Sequence, residues 1–288
     1  MKKKILLILS ALLGILLFTG CPSPTEAPTV SIPSTIVFAD GATVSKQIGS
    51  GNYTNTVTGD GTGSITYTSG TEATATVNSS TGEVTLLAAG TTVITAVKAA
   101  SGTYASVTNT YTLTVTLYIG MPYQGGKVAY FFESGDTGYV DGETHGLIAA
   151  IADQSTGIVW ISGGSTSSEF VNGSDGTGTS TAIGTGQANT TAIIAQAVAA
   201  NNNDLATYAA GICNAYINDS FSDWFLPSED ELNKLYLKKA DIGGFESDTY
   251  WSSSEYSNGT AWKQSFYDGS QYYGNKDSDG YVRPVRAF

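Results

Sequence analysis

The sequence predicts a multidomain, β-rich chain: an all-β sandwich followed by a mixed α+β domain. Three observations carry this. Residues 30–117 break into short segments of period two, separated by Gly- and Asn-rich turns, with no helical periodicity between them. All four Trp residues (Trp160, Trp224, Trp251 and Trp262) lie beyond that stretch. Two segments with apolar residues three and four apart occur only in this later part.

The chain begins Met1-Lys2-Lys3-Lys4, continues with an apolar run from Ile5 to Phe18, and reaches Thr19-Gly20-Cys21. A basic start, a short apolar stretch and small residues make 1–20 a secretory signal. A spanning helix would need about 20 apolar residues. Pro22, Pro24 and Pro28 make 21–29 a stiff tether. Cys21 directly after Thr19-Gly20 resembles the bacterial lipobox. That resemblance implies lipidation of Cys21 and an envelope location, anchored at the outer membrane or cell surface. Acyl chains contribute about 0.8 kcal/mol per buried CH₂ to such an anchor.

In 30–117, Tyr111, Leu113, Val115 and Leu117 alternate with Thr112, Thr114 and Thr116, a half-buried strand. Residues 65–67, 75–77, 83–86 and 93–97 are further strands. Gly59-Asp60-Gly61, residues 78–82 and Ala89-Gly90 are the turns. Short strands at this spacing argue for a sandwich.

In 118–288, Leu205, Tyr208/Ala209, Ile212/Cys213 and Tyr216 mark the inner face of one helix. A second helix starts at Ser228, where Ser228-Glu229-Asp230-Glu231 forms a capping box. Lys238 and Lys239 lie near its C-terminal end, where cations suit the dipole. Residues 250–255, 261–266 and 281–288 read as strands joined by polar loops.

Composition limits the chemistry. Apolar residues reach 41%, too many for a disordered chain. The formal charge of −12 disfavours nucleic acid as a partner. With Cys21 acylated, Cys213 has no partner, so no disulfide framework is expected. The single His145 rules out a multi-His zinc site. No cofactor or metal is expected.

Specific strings carry a resemblance. They are Tyr123-Gln124-Gly125-Gly126, His145-Gly146-Leu147-Ile148, Asp153-Gln154-Ser155-Thr156-Gly157, Gly184-Thr185-Gly186-Gln187-Ala188-Asn189, Ser222-Asp223-Trp224-Phe225-Leu226-Pro227-Ser228, Tyr250-Trp251-Ser252-Ser253-Ser254-Glu255 and Val282-Arg283-Pro284-Val285-Arg286. In order, over about 118–288, they resemble the Lcl C-terminal domain family. Residues 30–117 resemble a bacterial immunoglobulin-like repeat, which in surface proteins is usually a stalk. The fold class these resemblances imply is an all-β immunoglobulin-like sandwich followed by an α+β C-type-lectin-like domain. They also imply a surface binding or adhesion role toward an extracellular glycan or protein ligand. The adhesin that names the family is associated with sulfated glycans, a specificity that an acidic chain does not suit. A carbohydrate-active enzyme of the cell envelope is the alternative.

Four features compete as sites. Asn275-Lys276-Asp277-Ser278-Asp279-Gly280 fits the first half of an EF-hand loop, but Arg286 stands where the bidentate Glu belongs, so a turn with solvated acids is the expectation. Glu229 and Glu231 could be mistaken for an acid/base pair, yet glycosidase carboxylates face each other across a bond. At a helix start, capping suffices to explain them. His145 has no nucleophile near it in sequence and reads as structural. The stretch 256–281 is dense in Tyr, Asp, Ser, Gly and Asn, the composition of antibody-type contact surfaces. The expected contacts are Tyr256, Ser257, Asn258, Lys263, Ser265, Tyr267, Asp268, Ser270, Tyr272, Tyr273, Asp277, Asp279 and Tyr281, on a scaffold that includes Trp251, Trp262 and Phe266. Between 267 and 281 every residue except Gln271 and Lys276 is Tyr, Asp, Gly, Ser or Asn. All five are reached from AAC or AAT codons by changing adenines only, the habit of diversity-generating retroelements.

Overall fold

The computed structural model describes residues 31–161 and 178–288. The signal 1–20, Cys21 and the tether 21–29 lie outside the described residues.

The first part contains nine strands. They are β1 (Ile36–Phe38), β2 (Thr43–Gln47), β3 (Tyr53–Thr54), β4 (Val57–Gly59), β5 (Ile65–Ser69), β6 (Ala75–Val77), β7 (Glu83–Leu86), β8 (Gly90–Lys98) and β9 (Val107–Thr116). One sheet has the order β2-β9-β8-β5, a second β3-β7-β6, and β1 pairs with β4. The long β8–β9 hairpin runs from Gly90↔Val115 to Lys98↔Val107. Alternation sets its faces: Tyr111, Leu113 and Val115 turn inward with Ile94 and Ala96, and meet Ala75 and Val84 of the second sheet. Phe38 closes this core edge-on against Tyr111, with ring centroids 4.7 Å apart. Burial of apolar area at roughly 25 cal/mol per Å² is what holds two such sheets face to face.

The second part has β10 (Pro122–Tyr123), β11 (Gly126–Phe131), β12 (Gly146–Ala149), β13 (Ser155–Ile158), α1 (Gly186–Ala199), α2 (Ala209–Ala215), α3 (Glu229–Leu237), α4 (Lys239–Ile242), β14 (Thr249–Ser257), β15 (Thr260–Ser265), β16 (Gln271–Asn275), β17 (Gly280–Val282) and β18 (Val285–Ala287). Its two sheets have the orders β10-β11-β12-β18 and β13-β17-β14-β15-β16. Trp160, Ile193, Tyr208, Cys213, Trp251 and Val282 form one core. Tyr130, Leu147, Phe225, Leu235, Tyr250, Phe266 and Val285 form another. Leu117, Met121 and Val128 make a small cluster that Ile48, Ala89 and Phe288 join, linking the two parts.

Two helical expectations change. The segment expected as one helix over 205–216 is a 3₁₀ turn (Leu205–Thr207) followed by α2, because Tyr208 between them is extended at φ −154° and ψ 157°. Asp204 caps the turn by accepting from the Ala206 N–H at 3.1 Å. The fourteen-residue α1 was not expected as a helix. It has no acid in its first turn, no base in its last, and no side-chain N-cap, so it lacks the usual start and stop signals. A carboxylate from α3 supplies what its own sequence does not, as described below.

Candidate functional site

The candidate surface is built on β14, β15 and β16. β15 pairs with β16 in unbroken register from Thr260↔Asn275 to Gln264↔Gln271. Trp262 therefore stands opposite Tyr273, on one face. β14 is irregular between Trp251 and Glu255, which carries Tyr256 to the same cluster. Tyr256 stacks on Tyr273 with centroids 4.2 Å apart and planes 1° apart. Both rings stand edge-on to Trp262, at 5.1 and 6.3 Å. Tyr256 and Tyr273 are 50% and 53% exposed. Half-exposed rings held by their neighbours give contact area without much side-chain entropy left to lose.

The middle of β14 is fixed from behind. The Trp251 indole N–H donates to the Ile158 carbonyl at 2.8 Å, and that of Trp160 to the Ser252 carbonyl at 2.7 Å. Ser253 N–H donates to the Pro227 carbonyl, and Ser254 Oγ to the Ser180 carbonyl, both at 2.7 Å. The serine run is thus a set of main-chain clamps, and Glu255, at its end, is buried against the Lys276 ammonium.

The expected contact residues divide. Tyr267 (78% exposed), Asp268 and Ser270 occupy the β15–β16 turn; Asp277 and Asp279 occupy the β16–β17 turn; Asn258 lies at the β14–β15 turn, and all of these are exposed. Hydrogen bonds from Ser265 and Ser270 hold the exposed Asp268 carboxyl down at about 2. Ser257, Ser265 and Tyr281 are half-buried, Tyr281 packing toward Tyr250 at 5.4 Å. Tyr272 points to the opposite face from Tyr273, its hydroxyl 2.7 Å from Thr249 Oγ1. The thirteen residues therefore span two faces and three turns.

Lys263 is a correction. Expected as an exposed contact, it is 6% exposed. Its stem lies in the core and its Nζ sits 3.8 Å from the Trp251 ring centroid, donating to the Asp279 carbonyl at 2.7 Å and to Ser278 Oγ at 3.0 Å. Burial lowers this amine to about 8. A long side chain can bury its methylenes if the head finds partners, and here it does. Trp262, expected as scaffold, is half-buried and forms the floor of the tyrosine pair.

The 275–280 loop is locked by an ammonium. Lys276 is buried, its Nζ donating to Glu255 and to the Asn258 carbonyl, 4.9 Å from the Trp160 ring. Among the described residues no group of three or more His, Cys, Asp and Glu is placed to hold a metal. Cys213 is fully buried, and burial pushes its thiol well up, away from the reactive thiolate.

The remaining motif residues are structural in geometry. Arg283 is buried. Its Nε donates to Asp153 Oδ1 at 2.7 Å, Nη1 to the Ala150 carbonyl at 3.0 Å, and Nη2 to the Gly244 carbonyl, while Phe245 lies under it at 4.0 Å. Tyr250 OH donates to the other Asp153 oxygen at 2.6 Å. Arg286 grips Asp223 with two bonds of 2.7 and 2.9 Å and reaches Gln124 at 2.6 Å. His145 is held between Glu143 (2.7 Å) and the Phe288 carbonyl (3.1 Å); the Glu143 bond raises its pKa. It borders a cleft of about 590 Å³ at the junction of the two parts, shared with Thr116, Tyr123 and Phe288. This cleft does not include the tyrosine pair.

Glu231 is fully buried. Within α3 it completes the capping box: Ser228 N–H donates to Oε2 at 2.7 Å, and Ser228 Oγ accepts from Glu231 N–H at 3.3 Å. Its Oε1 also accepts from Gly184 N–H at 2.8 Å, and the Gly186 N–H reaches the same carboxylate. One acid thus caps two helix starts, α3 and α1. A Cβ on Gly186 would lie 2.3 Å from Oε2, so the approach requires glycine. Burial still outweighs these donors and raises Glu231 to about 7. Burial likewise raises Glu229 to about 7.

These geometries define a multidomain β-rich protein with a polar, aromatic surface built on three strands. The family model of the Lcl C-terminal domain matches residues 149–286, as the motifs of the second part led one to expect. No curated protein matches the chain. Among solved structures, a fimbrial protein from Bacteroides ovatus ATCC 8483 is 12% identical, the match covering 88% of this chain and 70% of that one, with a TM-score of 0.41. The C-terminal 282-residue fragment of intimin, in complex with the translocated intimin receptor's intimin-binding domain, is 15% identical over 89% of this chain and 66% of that one, with a TM-score of 0.22.

Proposed function

We propose that this is a lipid-anchored envelope protein that binds an extracellular glycan or protein through its second domain, as an adhesin, and that it works by binding and not by turnover. The observation that carries this reading is the Tyr256–Trp262–Tyr273 cluster: two half-exposed tyrosine rings over a half-buried tryptophan, on a sheet whose neighbouring positions are locked into two cores. The Lcl C-terminal family match supports a C-type-lectin-like reading of this domain. The two-sheet sandwich before it supports an immunoglobulin-like stalk. Binding without turnover is supported by Glu231, whose oxygens are taken by main-chain N–H groups, and by the buried thiol of Cys213. An unbiased glycan and surface-protein binding screen with the full chain, paired with turnover assays on the same glycans, tests the proposal. Saturable binding without product formation is expected; turnover would establish the envelope-enzyme alternative.

The anchor is tested separately. Cys21→Ser releases the protein in soluble form or leaves it unprocessed, read by membrane fractionation and lipid labelling. Persistence of both unchanged would refute lipidation at Cys21.

The same surface is proposed to be diversified. Within 267–281 the exposed side chains are Tyr, Asp, Ser and Asn, apart from Gln271. Lys276, the other residue outside the adenine-derived set, is buried as scaffold. Loop residues on a rigid frame can change without harm to the core. An adenine-rich near-copy of this segment beside a reverse-transcriptase gene is the expected finding in the surrounding nucleotide sequence. Codons at these positions that do not derive from AAC or AAT, with no such copy, would contradict it.

A further inference from the structure

The outer edge of β16 belongs to the same surface. Among the described residues β16 pairs with β15 alone and ends its sheet. Ser265 N–H donates to the Ser270 carbonyl at 2.9 Å, and Lys276 N–H to the Gly259 carbonyl at 3.0 Å. Hydrogen-bonded pairs alternate along an antiparallel ladder. In this register Tyr272 and Gly274 turn their main-chain groups to β15, and Gln271, Tyr273 and Asn275 turn theirs outward. Ser278 N–H takes the Asn275 carbonyl. The N–H and C=O of Gln271 and Tyr273 and the N–H of Asn275 remain, spaced as one more strand requires.

Sheets ordinarily blunt such an edge with Lys, Pro or a bulge. β16 reads Gln-Tyr-Tyr-Gly-Asn, without charge or Pro, and its register with β15 is unbroken. The flanks are acidic: Asp268 precedes the strand, Asp277 and Asp279 follow it, and all three are exposed. The two cations between 256 and 281, Lys263 and Lys276, are both buried. Antiparallel pairing of two copies about Tyr273 would set Asp268 of each beside the Asp277–Asp279 turn of the other, a like-charge clash. A partner with basic flanks meets no such clash.

We infer that β16 takes up an extended segment of a partner protein by strand addition, the segment neutral where it runs along 271–275 and carrying Lys or Arg at its ends. The stacked Tyr256 and Tyr273 give its alternate side chains an aromatic wall. This rests on the binding-surface reading above and narrows it to a protein ligand.

The test pans a displayed library of random peptides against the full chain and synthesises the enriched sequence. Enrichment of proline-free cores with basic flanks is expected. Gln271→Pro and Gln271→Ala both lose the side chain, but only the first loses the outward N–H. Gln271→Pro should weaken the peptide about tenfold and Gln271→Ala less than about twofold. N-methylation of alternate peptide amides, which leaves the protein untouched, should abolish binding in one register and spare it in the other. No enrichment, proline-rich or acidic-flanked sequences, or equal effects of both methylation registers would overturn strand addition. So would a dimer in gel filtration that Gln271→Pro abolishes, or a glycan ligand indifferent to Gln271→Pro. If Tyr256→Ala with Tyr273→Ala removes peptide binding while Gln271→Pro does not, the binding surface stands and strand addition falls. If neither variant matters, both fall.

Discussion

Arg283→Ala is expected to destabilise the second domain by about 3–5 kcal/mol, because it leaves the Asp153 carboxylate, only 10% exposed, without its cation. The same substitution strips hydrogen bonds from the Ala150 and Gly244 carbonyls, tying together the chain before β13, the turn after α4 and the β17–β18 corner. Thermal unfolding followed by near-ultraviolet signals of Trp160 and Trp251 should show a fall of roughly 10 °C. Arg283→Lys should recover only part of it, since an ammonium lacks the planar fork that reaches Asp153 and the carbonyls together. A change below about 1 kcal/mol for Arg283→Ala would mean that the clamp is dispensable.

Glu231→Ala is the second large effect, about 3–4 kcal/mol, since it orphans buried N–H groups at the starts of both α1 and α3. Glu231 also gives stability a pH dependence of definite sign. Its folded pKa, about 7, lies above the ordinary 4.5. The contribution is therefore fully present below about pH 4.5 and is lost as pH rises through about 7. Glu229 and His145, both raised, act in the same sense; Asp223, lowered by its Arg286 bonds, acts in the opposite one. Glu231→Gln cannot titrate. The stability of the wild type relative to Glu231→Gln should fall between pH 4.5 and 8, measured by denaturant unfolding. A difference that is flat, or that rises with pH, would show that the donors and not burial set this group's charge.

These two residues show what a sequence can carry. The capping box at Ser228 is legible because its partners lie three residues apart. The second duty of Glu231 is not, because its other donors lie 47 residues upstream at Gly184 and nearby at Gly186. α1 is hidden for the same reason: its start signal is supplied from α3. The period-two strands of 30–117 are legible because one face of each is wet. In the second part both faces of β14 are buried, so alternation gives no guide to Ser252, Ser253 and Ser254. Lys263, embedded in polar sequence, reads as exposed; the Trp251 indole and the Asp279 carbonyl explain its burial, as the Trp160 ring, Glu255 and the Asn258 carbonyl explain that of Lys276. Trp262 reads as an anchor, and its register opposite Tyr273 leaves it half-buried beneath the tyrosine pair. The tyrosine-rich composition located the region but not which rings meet, since that depends on the irregularity in β14.

The central claim is that the Tyr256–Trp262–Tyr273 cluster is the contact surface for an extracellular ligand. The most direct measurement compares the full chain with its Tyr256→Ala, Tyr273→Ala double variant against whatever ligand an unbiased glycan and surface-protein screen returns, with thermal unfolding as control. Both rings are half-exposed, so their loss should move the unfolding temperature little, while hot-spot aromatics typically each cost about 1–2 kcal/mol or more in binding. The account predicts at least a tenfold loss of affinity, roughly 1.4 kcal/mol, at unchanged stability. Full affinity in the double variant, with the ligand footprint elsewhere on the chain, would contradict it.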